Sequence, residues 1–247
     1  MNRCGINVLF MLFHLLALPG FELTARGDDL ITWKGSGRGG AVAAGKAESV
    51  AAGIWMLKQG GNAADAAAAT LLALAITDYG LFAIGGEVPL LIYDAGKKEV
   101  KVLSGLGAAP LDPEAIKWYY ENGIPANGSM KSAPVPGAID LVITALMLYG
   151  TVSFSQAVQP TLELLDAGEK PWHSDLAVTL RKMTAREDEA AGTRVEKLTA
   201  ARDRFYKGDI ADDLEDWYIK SGAFLRKRDL ENHRTRVEDP VSVIYRG

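Results

Sequence analysis

The sequence holds one cysteine, Cys4, and three histidines in 247 residues. Cys4 stands ahead of a strongly apolar segment at residues 8–18, so a chain that loses this leader keeps no thiol, and neither a disulfide nor a thiol nucleophile is available to it. His14 falls inside the same segment. The remaining two, His173 and His233, are too few for a histidine-rich metal site and make a Ser-His-Asp triad hard to build. Each reads as a surface or capping residue. Charge of one sign is also lacking: 27 Lys and Arg stand against 31 Asp and Glu, which gives no reason to expect nucleic acid or an anionic membrane as partner. No pair of carboxylates is singled out by spacing, because Glu187, Asp188 and Glu189 are adjacent on a helical stretch and point in different directions. They read as part of a solvated face.

Long apolar runs are scarce too. A bilayer span needs about 20 apolar residues, and the run at 63–76 is shorter and bounded by Asp65, Thr77 and Asp78. The N-terminal run follows Arg3, carries no acid or lysine, and ends in Pro19-Gly20 before Leu23-Thr24-Ala25. That is the pattern of a secretory signal peptide over residues 1–25, with cleavage after Ala25 and a secreted or periplasmic mature chain from residue 26 to 247. A buried N-terminal helix is the plainer alternative. The spacing Gly35-x-Gly37-x-x-Gly40 matches a dinucleotide fingerprint, but residues 41–45 read as a short strand rather than a helix start, and no acidic residue closes a second strand at the right distance. The fingerprint is therefore rejected, in favour of a flexible lead into a first strand.

With 48% hydrophobic and 23% charged residues the chain can bury a core. The stretch from Gly53 to Tyr93 organises it. A helix carrying Val50, Ile54 and Leu57 on one face stops at Gly60-Gly61, and Asn62 caps the next, with Asp65 in its first turn. That second helix is alanine-rich and apolar on nearly every face, which suits burial between layers. Residues 88–93 and 100–103 then read as a hairpin, with Pro89 tolerated near the strand start.

Further on, Asp112-Pro113-Glu114 opens a helix that Gly123 closes, bearing Trp118, Tyr119 and Tyr120, which are read as packing residues rather than a ligand platform. Pro134 and Pro136 fix an extended entry to a helix at 138–149, ended by Gly150. Ser153 and Gln156 form a capping box for another, with Pro160 early in it and Gly168 as its stop. Residues 174–206 read as helical and highly charged, with Leu176, Leu180 and Met183 on one face. A helix at 209–220 follows, then a turn at Arg228-Asp229-Leu230 and a strand at 241–245.

Gly60-Gly61-Asn62-Ala63-Ala64-Asp65-Ala66-Ala67, Ile84-Gly85-Gly86 and Leu91-Ile92-Tyr93-Asp94 resemble the large-subunit half of gamma-glutamyltransferases (gamma-glutamyl transpeptidases). The resemblance continues through Ala133-Pro134-Val135-Pro136-Gly137-Ala138, Phe205 to Ala211, Arg228-Asp229-Leu230, Glu238-Asp239-Pro240-Val241 and Tyr245-Arg246-Gly247. It implies an α+β fold of the N-terminal-nucleophile hydrolase type, an αββα sandwich of which this chain is an incomplete N-terminal half, shortened within its charged helical stretch. It further implies a self-cleaving precursor, in which a threonine downstream of Tyr-Arg-Gly becomes the N-terminus of a small subunit and attacks with its own amine as base. The expected function is gamma-glutamyl transfer or hydrolysis by the full-length protein, with this chain alone inactive. Its partners would be the C-terminal portion of the same precursor and a small gamma-glutamyl or acyl amide.

No catalytic residue, metal ligand or cofactor is assigned within the chain, and its substrate-binding residues are unknown. The family usually places an arginine, holding the substrate's alpha-carboxylate, at the position of Leu106. An aliphatic side chain makes no bidentate clamp, and neither Lys101 nor Arg38 can be given the task from sequence. Two alternatives therefore stand beside the first reading: a related exported amidohydrolase or acylase with another acyl group, and a scaffold that kept the fold without the chemistry.

Overall fold

A computed structural model of the chain describes residues 38–126 and 128–245. The expected leader and the Gly35-x-Gly37 part of the rejected fingerprint lie outside the described residues. From residue 47 onward, α1 (Ala47–Lys58) and α2 (Ala63–Thr77) form a helical hairpin. Its turn is the expected one, with Gly60 at φ +90°. Asn62 and Asp65 make a reciprocal box: Asn62 Oδ1 accepts from the Ala64 and Asp65 amides at 2.9 and 3.1 Å, and the Asn62 amide donates to Asp65 Oδ2 at 2.9 Å. The face of α1 is not as expected. Ser49, Ala52, Gly53 and Met56 are buried, whereas Val50, Ile54 and Leu57 are half-buried. Close approach of the two helices selects the small residues, since a Cβ on Gly53 would come within 2.3 Å of Thr70 Oγ1.

The hairpin β1 (Val88–Asp94) and β2 (Glu99–Gly105) follows, in register from Val88 opposite Gly105 to Asp94 opposite Glu99. Asp94 Oδ1 accepts from the Gly96 and Lys97 amides and so shapes the turn. A third strand, β3 (Arg236–Glu238), pairs antiparallel with β2, giving the order β1-β2-β3. The expected strand at 241–245 is not in a ladder, and Val241, Val243 and Ile244 are exposed. Residues 41–45 likewise form no strand among the described residues. β-type composition alone does not make a strand without a neighbouring backbone to pair with.

Between the hairpin and β3 the chain is helical. α3 (Pro113–Asn122) starts at Asp112, whose carboxylate accepts from the Glu114 amide, and ends at Gly123. α4 (Ala138–Tyr149) is buried on two sides. Leu141 and Ala145 pack with Val88 and Leu103 of the sheet, while Ile139, Val142, Ile143 and Leu146 enter the main core with residues of α2, α5 (Phe154–Ala167), α6 (His173–Glu189) and α7 (Arg194–Tyr206). α8 (Asp209–Lys220) and the short α9 (Lys227–Asn232) complete the set, so Arg228-Asp229-Leu230 is helical and not the expected turn. Pro160 sits midway along α5, not early in it.

The charged stretch is two helices, broken at 190–193 and reversed onto each other, so that Ala177, Leu180 and Met183 face the core with Leu198 and Ala201. Glu187 is not on a solvated face. It is buried and accepts from the Phe154 and Ser155 amides, both at 2.8 Å, and from Ser155 Oγ at 2.7 Å, anchoring α6 to the start of α5. His173 and His233 are buried too, against the expectation of surface positions. Ring packing decides both: His173 lies edge-on to Trp172, and His233 stacks on Tyr206.

Candidate functional site

Two motifs far apart in the sequence meet at one place, the crossing of Gly86, residues 105–108 and residues 135–138. Gly86 O accepts from the Gly137 and Ala138 amides at 3.1 and 3.0 Å, and Ala108 O accepts from the Val135 amide at 3.0 Å. The backbones approach so closely that a Cβ on Gly107 would lie 2.1 Å from Val135 O, and one on Gly137 would lie 2.2 Å from Gly105 O. Only glycine permits this. Glu87, an exposed residue, also holds the bend, accepting from the Gly107 amide at 2.7 Å.

Other motifs hold the crossing or the segments next to it. Tyr206 Oη donates to Pro136 O at 2.7 Å and accepts from the Asp140 amide at 3.1 Å, which holds the extended entry and the first turn of α4. Asp140, buried, takes Arg202 Nε and the Thr235 amide, while Arg202 Nη2 donates to His233 O at 2.6 Å. Asp229, from the Arg228-Asp229-Leu230 motif, accepts from the Leu111 amide at 2.9 Å and the Arg226 amide at 2.7 Å, so it pins the strap that runs on from Leu106. Asp239 holds Lys101 at 2.8 Å and so ties the chain after β3 back to β2. Burial pushes the Tyr206 phenol well above its ordinary range, which keeps it a neutral donor. The His233 imidazole is pushed down, first by burial and then by the cations of Arg202 and Arg234, with Asp140 opposing.

Leu106 stands at the open side of the crossing with 48% of its surface exposed. Lys101 is engaged by Asp239 and, at 3.4 Å, by Glu99, so it is not a spare cation for a substrate carboxylate. Arg38 is exposed at the edge of the described residues, and Arg228 pairs with Asp112 at 3.8 Å. Of the three aromatics on α3, Trp118 and Tyr119 pack on Phe224, with Lys131 Nζ 4.3 Å from the Trp118 ring centre, and Tyr120 points to solvent. Among the described residues no group of three or more His, Cys, Asp or Glu side chains could hold a metal ion. No described helix is long and apolar enough to cross a membrane.

Sequence reasoning missed the buried acids Asp140, Glu187 and Asp229. The partners of Asp140 and Glu187 lie 32 or more residues away in sequence, and Asp229, besides its local bond to Arg226, reaches Leu111, 118 residues away. Asp65 was read only as a cap; it also accepts from Thr151 N at 2.8 Å and Thr151 Oγ1 at 2.7 Å, joining α2 to the end of α4.

The fold is α+β of the N-terminal-nucleophile hydrolase type, represented here by one sheet and the helical layer on one side of it. Its solved likenesses include a gamma-glutamyltranspeptidase from Helicobacter pylori, with TM-score 0.72, 24% identity and coverage of 87% of this chain and 69% of that one. Among curated proteins, a glutathione hydrolase proenzyme of Bacillus subtilis is 29% identical over 240 residues, covering 85% of this chain and 41% of its own length. The acylase ACY 1 proenzyme of a Pseudomonas species is 28% identical over 248 residues, covering 86% and 44%. The chain thus spans about two fifths of the length of these curated relatives. The sequence model of the family described as gamma-glutamyltranspeptidase matches residues 49–190 and 165–247, which include every motif gathered at the crossing, and the chain belongs to that family.

Proposed function

We propose that the full-length protein transfers or hydrolyses gamma-glutamyl groups, using a threonine supplied by a C-terminal portion of the same precursor, and that this chain is the substrate-side scaffold of that site. The observation that carries the reading is that the family's motifs ending at Gly86 and at Ala138 cross at Gly86, Gly107 and Gly137, with Tyr206 of a third motif tied to Pro136 by a buried hydrogen bond. A threonine freed at a new N-terminus attacks the amide carbonyl while its own amine takes the hydroxyl proton and gives it to the departing amine as the amide C–N bond breaks, and the acyl group then passes from the threonine ester to water or to an acceptor amine. Residues 1–25 act as an export leader, with the mature protein secreted or periplasmic. Mass spectrometry of exported protein is expected to find a chain starting after Ala25, and a chain retaining Cys4 would count against this.

A second reading, an amidohydrolase or acylase with another acyl group, is favoured by Leu106. A desolvated carboxylate left without a cation is costly, and a charge-assisted bidentate contact contributes roughly 1.5 to 3 kcal/mol, about tenfold to a hundredfold in affinity. The two readings part on Leu106→Arg, tested in the full-length enzyme on gamma-glutamyl and simple acyl amides. High parental activity on the glutamyl amide, falling on substitution, supports glutamyl chemistry with another group holding the carboxylate. A selective gain on the glutamyl amide supports the altered pocket. A precursor with no threonine at a self-cleavage junction leaves only the scaffold.

A further inference from the structure

A cavity of about 210 Å³ lies beside the pair of Asp140 and Arg202, between α4, α7 and the link that joins α9 to β3. Three cations line it, Arg202, Lys207 and Arg234, against two acids, Asp140 and Asp203. Both acids are engaged within the fold. Asp140 takes Arg202 Nε on one oxygen and the Thr235 amide on the other, and Asp203 takes Arg202 Nη1 at 2.9 Å and Lys207 Nζ at 2.8 Å. Arg234 is left over. Its Nη1 donates to the Glu231 and His233 carbonyls, but among the described residues it is in no ion pair, and its Nε and Nη2 make no hydrogen bond. The same cavity holds hydroxyls without partners: Thr235 Oγ1 is buried and unbonded, and the Thr144 hydroxyl makes no hydrogen bond among the described residues. A water would satisfy the hydroxyls and leave the positive charge unmatched, whereas an oxyanion answers both.

We propose that this cavity binds a phosphate group, with the Arg234 guanidinium donating to its oxygens, Lys207 adding a point charge, and Thr235 and Thr144 donating from their hydroxyls. The donor set selects the anion. A carboxylate has two oxygens in one plane and is met by a guanidinium fork alone, whereas a fork, an ammonium and hydroxyls on separate elements suit a tetrahedral group that accepts in several directions. The volume lies below the roughly 300 Å³ at which pockets for drug-sized ligands begin, which limits the occupant to a small ion or the phosphate end of a small ester. Bound there, the anion joins α4, α7 and the link before β3, the three elements that Asp140 and Arg202 already tie together. Neither Arg234 nor Thr235 is given a part in the reaction proposed above, so the two readings stand or fall separately.

The test titrates the full-length protein, dialysed free of phosphate, with inorganic phosphate, following the heat of binding and the thermal midpoint. One saturable binding event is expected, with a midpoint that rises with phosphate concentration and shows no saturable rise in sodium chloride of matched ionic strength. Arg234→Gln is expected to weaken binding about tenfold to a hundredfold. Lys220→Gln removes the same charge from an exposed point on α8 outside the cavity and should leave binding unchanged. Thr235→Val separates binding from folding by sign. Without phosphate its midpoint should equal or exceed the parent's, because an unmatched buried hydroxyl is gone, while its phosphate-dependent rise should be smaller. Glycerol 3-phosphate in a parallel titration distinguishes the sources: tighter binding than inorganic phosphate assigns the site to an esterified group, and equal or weaker binding assigns it to the free ion. A midpoint that follows ionic strength alone, binding as tight in Arg234→Gln as in the parent, or an undiminished rise in Thr235→Val would overturn the site.

Discussion

His233 offers an acid-sensitive point inside the network that holds the crossing together. Its ring stacks on Tyr206 at 5.6 Å, its Nε2 is buried without a hydrogen-bond partner, and the groups facing it are Asp140, Arg202 and Arg234. The folded pKa is lowered, chiefly by burial, so the neutral ring contributes stability that is present above the unfolded value near 6.5 and lost as pH falls through the folded value. The thermal midpoint is therefore expected to drop between pH 7 and pH 5 more steeply in the parent than in His233→Gln, and parallel profiles would contradict this. Nothing local in the sequence announces the burial of either histidine, because it is set by rings and helices that meet only in the fold. Leu106 was singled out for the opposite reason: the resemblance gives its place along the chain, with no need of the fold.

Elements were legible where their signals are local. Asn62 with Asp65, Asp112-Pro113 and Ser153 with Gln156 start helices in the structure as their spacing predicts. The break in the charged stretch had such a signal as well, since Gly192 at φ +106° precedes the box of Thr193 and Glu196, but the uniform charge on both sides hid it. The misplaced final strand had none, because β3 is fixed by pairing with β2. Glu187 is the joint between two of these elements. Glu187→Gln keeps the shape but loses the charge at the start of α5, and turns an amide toward donors, so a loss of about 1–3 kcal/mol is expected from chemical denaturation. Asp188→Asn, next to it and exposed, is expected to change stability by less than about 0.5 kcal/mol. Equal losses would place Glu187 back among surface charges.

For the whole molecule, the chain supplies a positioned crossing and spans about two fifths of the length of its curated relatives; under the proposed function the nucleophile belongs to the remaining portion. The family was legible from the order and spacing of short motifs, and the structure adds how some of them go together: Tyr206 is bonded to Pro136 and to the first turn of α4, while Asp229 holds Leu111 in the strap that runs on from Leu106. The substrate was not legible, because Leu106 stands where the resemblance leads one to expect an arginine and no other described cation is assigned to its task. The most direct measurement is release of product from a gamma-glutamyl anilide by the purified chain ending at Gly247, set beside the full-length precursor. The account predicts no release by the shorter chain, and release by the precursor once it has cut itself in two. Turnover by the chain ending at Gly247, persisting after host enzymes are removed, would contradict it and place the nucleophile within these residues.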